Sequence, residues 1–210
     1  MKRLFCTLLL AISVQFLFAN QPYHFSHLSV KDGLSQLNVT CIYQDKLGYI
    51  WFGTRNGLNK FNGNSFEVYW NHADDPHSIS SNIINCMAED AEGNLWIGTE
   101  NGLNMLDKNK NEFKRYHINQ QENKDKNKIT SLCLDQQGTL WVGAASEGLF
   151  AYTPQGDSLK NISTKELKGN WVNDIIERDH KLYIASYNKG LLIYDLQQQA
   201  VVRSFQQNSE

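Results

Sequence analysis

Three tryptophans, Trp51, Trp96 and Trp141, stand 45 residues apart, and each lies inside nearly the same phrase. The first copy reads Gln44-Asp45-Lys46-Leu47-Gly48-Tyr49-Ile50-Trp51-Phe52-Gly53-Thr54-Arg55-Asn56-Gly57-Leu58-Asn59, and the second runs from Asp90 through Gly93, Trp96 and Gly98 to Gly102-Leu103-Asn104. The third runs from Asp135 through Gly138, Trp141 and Gly143 to Gly148-Leu149. A degraded fourth copy has Tyr183 in place of the Trp, Ala185 in place of the second Gly, and Gly190-Leu191 at its end. A fixed period of this length means one supersecondary unit per repeat, stacked so that neighbours bury what a single unit leaves open.

Each repeat reads as four short strands. In the first these are Val39 to Gln44, Tyr49 to Thr54, Leu58 to Asn62 and Ser65 to Trp70. The second gives Ile84 to Glu89, Leu95 to Thr99, Leu103 to Asp107 and Glu112 to His117. Only the first two strands of the later repeats are plain, at Ile129 to Leu134 with Leu140 to Gly143, and Val172 to Glu177 with Leu182 to Ser186. No segment keeps a 3.6-residue apolar period long enough for a helix. Four-stranded antiparallel sheets at this period predict an all-β propeller of about four blades, with repeats at about 35–79, 80–124, 125–168 and 169–210.

The phrase has a mechanical reading. Asp45, Asp90 and Asp135 end the first strand, where a carboxylate can accept from the amides of the following turn. Gly48, Gly93 and Gly138 supply a positive φ there. Each Trp then offers about 150–250 Å² of surface to grip an adjacent blade. Gly53, Gly98 and Gly143 are read as sites of close backbone approach, and Gly57 and Gly102 as opening the next turn.

Residues 1–20 differ in character. Lys2 and Arg3 precede an apolar run from Leu4 to Phe18 that is short for a membrane span, and Ala19 precedes polar Asn20-Gln21-Pro22, as in a secretory signal. Residues 21–34, with the alternating Tyr23-His24-Phe25-Ser26-His27-Leu28, are expected to hold a strand placed to close a ring. Export permits disulfides, but Cys41 and Cys86 occupy equivalent repeat positions, about 10 Å apart in stacked sheets, so reduced packing residues are expected with Cys133. A net charge of −2, with 41% hydrophobic and 20% charged residues, suits a folded domain with no electrostatic attraction to nucleic acid.

The phrase Asp-x-x-Gly-x-Ile/Leu-Trp-x-Gly-Thr-x-Asn-Gly-Leu-Asn, preceded by Phe25-Ser26-His27-Leu28-Ser29-Val30-Lys31-Asp32-Gly33-Leu34-Ser35-Gln36, resembles the two-component regulator propeller repeat. The resemblance extends over residues 23–210 and is to the N-terminal periplasmic sensor of Bacteroides-type hybrid two-component systems. It implies a partial seven-bladed propeller and a periplasmic location. It also implies an oligosaccharide ligand, and partners in further blades, a kinase part and a homodimer. No kinase histidine box or nucleotide-binding region is present, so no enzyme activity is expected of this chain.

No catalytic constellation stands out. The six histidines lack metal-ligand spacing, and neither a metal nor a cofactor is expected. If the strand after each long linker is innermost, the linkers and the second-to-third-strand turns emerge on one face, opposite the Asp-x-x-Gly turns. That face is expected to recognise ligand through Arg55, Asn56, Glu100, Asn101, Lys128, Trp171, Tyr187 and Asn188. Trp171 and Tyr187 can stack on a sugar ring and Arg55 can pair a carboxylate or sulfate. Against this, Asn56 and Asn101 are common turn formers and Trp171 can pack between blades. The alternative reading is a stand-alone periplasmic scaffold that uses this face for a protein partner.

Overall fold

The structure is a computed structural model that describes residues 25–118, 127–154, 156–162 and 164–206. The expected signal segment lies outside the described residues. The first blade is β1 (Val39–Gln44), β2 (Ile50–Thr54), β3 (Gly57–Phe61) and β4 (Phe66–Tyr69). The second is β5 (Ile84–Glu89), β6 (Leu95–Thr99), β7 (Gly102–Asp107) and β8 (Glu112–Tyr116). The third is β9 (Ile129–Leu134), β10 (Leu140–Ala144), β11 (Gly148–Thr153) and β12 (Ser158–Asn161). The fourth is β13 (Val172–Arg178), β14 (Lys181–Ser186), β15 (Gly190–Asp195) and β16 (Ala200–Phe205). Each set forms one antiparallel meander in sequence order, and β1, β5, β9 and β13 are successive neighbours. The strand after each linker is therefore innermost.

The repeated phrase holds two things together. Asp45 Oδ1 accepts from the amides of Leu47 and Tyr49 at 3.0 Å each, while Gly48 turns the chain at φ 89°. Its Oδ2 meanwhile accepts from the indole N–H of Trp51 at 3.0 Å. Asp90 and Asp135 do the same for Trp96 and Trp141, both at 2.8 Å. One carboxylate thus closes the hairpin and orients the ring. The fourth repeat turns instead through Asp179 and His180, both at positive φ, in a two-residue hairpin between Arg178 and Lys181.

Each oriented ring enters the next blade. Trp51 packs with Ile84, Leu95, Ile97, Leu106 and Phe113, Trp96 with Leu140, Val142 and Phe150, and Trp141 with Leu182, Ile184 and Leu192. The second glycine of the phrase makes this approach possible. A Cβ on Gly98 would stand 2.5 Å from Cys86 Sγ and 2.6 Å from Ile129 Cγ2, and Gly53 and Gly143 are enclosed alike by Cys41 with Ile84 and by Ser131 with Val172. Cys41, Cys86 and Cys133 are free thiols beside these cores. Burial pushes Cys41 up to about 11 and Cys86 well above the usual thiol range.

A bulge near the start of each inner strand re-aims one side chain toward the neighbouring blade. Thr40 Oγ1 donates to the Ile84 carbonyl at 2.6 Å, Asn85 Nδ2 to that of Ile129 at 2.8 Å, and Thr130 Oγ1 to that of Val172. Asn173 holds the same place in β13 and is exposed.

The expected strand within residues 21–34 is not formed in the part that the structure describes. Residues 25–28 are irregular, and Val30–Asp32 make one 3₁₀ turn. Ser29 and Asp32 satisfy each other's ends in a capping box, and Gly33 stops the turn at φ 106°. Residues 25–28 join none of the four sheets.

Candidate functional face

The face built by the linkers and the β2–β3-type turns is held by a buried polar frame. In the first blade Asn59 Oδ1 accepts from the Ser35 amide at 2.8 Å and Asn59 Nδ2 donates to Ser35 Oγ at 2.9 Å. Ser35 Oγ also lies 3.0 Å from Thr54 Oγ1, which donates to the Gly57 carbonyl at 2.9 Å. Ser80, Thr99 and Asn104 repeat this in the second blade, with Asn104 fully buried. The linker is thereby tied to the turn that presents Arg55-Asn56 or Glu100-Asn101. In the third blade Ala144 and Phe150 replace the Thr and Asn, and an apolar contact stands in for the frame.

Four of the expected residues come together. The Ala145 amide donates to the Lys128 carbonyl and the Tyr187 amide to the Trp171 carbonyl, each at 3.0 Å, adding a rung beyond the strand ends. Lys128 Nζ reaches back to Glu100 Oε1 at 2.8 Å and lies 5.7 Å from the centre of the Trp171 ring. Trp171 in turn packs on Tyr187 at 6.2 Å between centroids. Glu100, Lys128, Trp171 and Tyr187 therefore form a continuous row across the second, third and fourth blades. Trp171 is 38% exposed and Tyr187 76% exposed, so the row ends in an open aromatic surface. Trp171 is thus partly covered, by Lys128 of the third blade and by Tyr187 of its own.

The remaining candidates are on the same face but outside this row. Arg55 and Asn56 are exposed at the β2–β3 turn, and Asn188 is exposed at the β14–β15 turn. The amides of Asn56 and Asn101 donate to Thr54 and Thr99 hydroxyls at 3.0 and 3.1 Å, as turn formers do. Sequence reasoning passed over Trp70, which it assigned to the end of a strand. Trp70 follows β4, stands 43% exposed, and would lie 3.2 Å from a Cβ on Gly57, beside the Arg55-Asn56 turn. Its counterpart beside Gly102 is His117, held below the usual histidine range by burial and by Arg115. The signal was its position next to a glycine that turns the chain.

The face offers an ion pair, a guanidinium and three exposed aromatic rings. No group of three or more metal-ligating side chains is found among the described residues.

Comparison with known proteins agrees with this architecture. The two component regulator propeller pattern matches residues 33–56, 78–101 and 124–146, the segments that carry the Asp–Trp phrase with the linker before it. The chain thus carries three segments similar to that repeat. Histidine kinase P4 of Formosa agariphila is 48% identical over 71 residues, which is 34% of this chain and 5% of that protein. The extracellular domain assigned to the hybrid two component system BT3049 from B. thetaiotaomicron superposes with a TM-score of 0.76 at 30% identity, covering 88% of this chain and 27% of that one. The corresponding domain of BT4673 from the same organism gives 0.70 at 21% identity over 87% and 27%, a likeness of fold alone. The chain spans about a quarter of the length of these extracellular domains. Among the described residues no helix is long and apolar enough to cross a membrane.

Proposed function

We propose that this chain is the extracytoplasmic ligand-sensing propeller part of a hybrid two-component sensor, exported to the periplasm by the signal segment at 1–20, and that its ligand is an oligosaccharide. The observation that carries the reading is the row Glu100–Lys128–Trp171–Tyr187, with Trp70 and Arg55 on the same face. Exposed rings beside fixed charges suit a sugar, whose C–H face stacks on an aromatic while its hydroxyls meet polar groups. No residue of the row is placed as an acid–base pair, so the chemistry is binding and not turnover. In this reading the signal comes from a shift between two arrangements of a larger assembly, with further blades, a kinase part and a homodimeric partner as the other components. The apolar flanks support further blades as neighbours: Ile42 on the first blade is 64% exposed and Ile176 on the fourth is 60% exposed.

Isothermal titration of a panel of neutral and acidic oligosaccharides tests the proposal. Saturable binding of at least one class, lost in the Trp171→Ala/Tyr187→Ala variant, is expected. Absence of binding across the panel, or equal binding by the variant, overturns it.

A further inference from the structure

The three seams between blades share one plan, and the third departs from it. In the first seam Tyr69 stacks beside Trp51 at 5.9 Å and its hydroxyl donates to Asn111 Oδ1 at 2.9 Å. In the second, Tyr116 lies 5.5 Å from Trp96 and donates to Asp157 Oδ1 at 2.9 Å. Asn111 and Asp157 occupy the same left-handed position before the outermost strand, at φ 57° and 43°, and Gln199 holds it in the fourth blade at φ 51°. The residue that should reach Gln199 is Ile162, paired to Leu149 as Tyr69 is to Leu58 and Tyr116 to Leu103. Opposite the tryptophan, where Lys60 and Met105 stand, the third blade has Ala151.

Two large side chains are thus replaced by smaller ones at one seam. What remains is a cleft of about 450 Å³ opening on the Asp-x-x-Gly face. That volume lies within the range of small-molecule sites, roughly 300–1,000 Å³. Trp141, Ala151 and Ile162 give it an apolar wall, and Gln137, Lys160 and Gln199 a rim of amides and one ammonium. Trp141 keeps 7% of its surface, against 1% for Trp51 and 2% for Trp96, so the ring is uncovered only where the seam is open. The nearby Asp135 carboxylate is engaged by Trp141 and by the amides of Gln137 and Thr139.

We propose that the cleft between the third and fourth blades is a second binding site, and that it takes a single pyranose unit. The apolar ring face lies against the Trp141 wall, and the hydroxyls exchange hydrogen bonds with the Gln137 and Gln199 amides and Lys160. The site is on the side of the molecule opposite the Trp171 row, and it stands or falls independently of that row.

Saturation-transfer NMR with methyl β-glucopyranoside, methyl β-galactopyranoside and methyl β-xylopyranoside, and with indole as an aromatic control, tests the inference. Transfer to ring protons of at least one pyranoside is expected in the wild type and in Trp171→Ala. It is lost in Ala151→Met/Ile162→Tyr, which rebuilds the packing of the second seam and is expected to melt no lower than the wild type. Gln199→Ala, which leaves the wall intact, should weaken the signal and provides the test should the filled variant fail to fold. No transfer to any pyranoside, binding of indole alone, or transfer unchanged by both the filled variant and Gln199→Ala overturns it.

Discussion

Replacing Gly98 by Ala adds one methyl group at the most confined point of the second seam. The new Cβ would meet Cys86 Sγ at 2.5 Å, within its own blade, and Ile129 Cγ2 at 2.6 Å, in the next. Ile129 cannot swing aside, since it is fully buried and its Cγ2 is carried on a branched Cβ that itself would lie 3.0 Å away. Relief therefore needs the third blade to move outward, which loosens the packing around Trp96 as well. Overpacking of a tight core costs about 1–3 kcal/mol, and a two-sided clash belongs at the upper end. For a chain of this length about 2–3 kcal/mol lowers the melting temperature by about 4–12 °C. Calorimetry or chemical denaturation of Gly98→Ala measures this directly. Cys86→Ala in the same chain removes one of the two clashing atoms, so the double variant should regain part of the loss, with a coupling of about 1 kcal/mol or more. The natural control is Ala185, which holds the same place in the exposed flank of the fourth blade. There, Ala185→Gly should cost only the strand penalty of about 0.5–1 kcal/mol. A Gly98→Ala protein as stable as the wild type to within about 0.5 kcal/mol would show that the seam is not closed by this contact.

Three further outcomes follow from the same geometry. Trp141→Phe removes the indole donor to Asp135, whereas after Trp96→Phe the Asp90 Oδ2 still accepts from Asn94 Nδ2 at 3.0 Å. Denaturation should show the first variant losing more, by about 1 kcal/mol. Lys108→Met leaves the fully buried carboxylate of Asp45 and that of Glu89 without the ammonium that bridges them at 3.2 and 2.9 Å, and about 3 kcal/mol of stability at neutral pH should go with it. Burial alone would raise Asp45 and lower Lys108, but their hydrogen bonds prevail, so the carboxyl sits below and the ammonium above its ordinary value. Asp45 thus adds stability that is full above pH about 4 and fades as pH falls through its depressed value. Lys108 adds stability that is full below pH about 10.5 and fades as pH rises through its raised one. A pH series of unfolding free energies should show a plateau between those limits, and the acid-side contribution should shrink in Lys108→Met.

The repeat phrase made the propeller legible because every part of it does local work that a one-dimensional pattern can carry. Turn glycines, the hairpin carboxylate and the alternation of the inner strands all act within ten residues of one another. The Asp–Trp hydrogen bond was also within reach, since the constant six-residue spacing spans the hairpin, but it needs the register of the hairpin to be seen. Longer-range features were not legible. The Ser35–Thr54–Asn59 frame joins residues 24 apart in sequence, and only the fold shows that the Asn in Gly-Leu-Asn faces a linker serine. The outermost strands β12 and β16 lack the phrase altogether, and β11 and β15 carry only its closing Gly-Leu. The alternation of residues 23–28 suggested a strand because period two marks a pattern and not a partner. On the candidate face, sequence type and position singled out Glu100, Lys128, Trp171 and Tyr187 one by one, while their joining into one row depends on blade-to-blade geometry. Trp70 was hidden by reading it as the last residue of a strand.

The central claim is that the linker-and-turn face recognises an oligosaccharide through its exposed rings. The most direct measurement is the indole N–H resonance of Trp171, assigned by Trp171→Phe, followed in ¹H–¹⁵N correlation spectra as a bound oligosaccharide is titrated. The account predicts a saturable shift of that resonance with the same affinity as calorimetric binding, and loss of both in Tyr187→Ala. Tight calorimetric binding with the Trp171 resonance unmoved would contradict it.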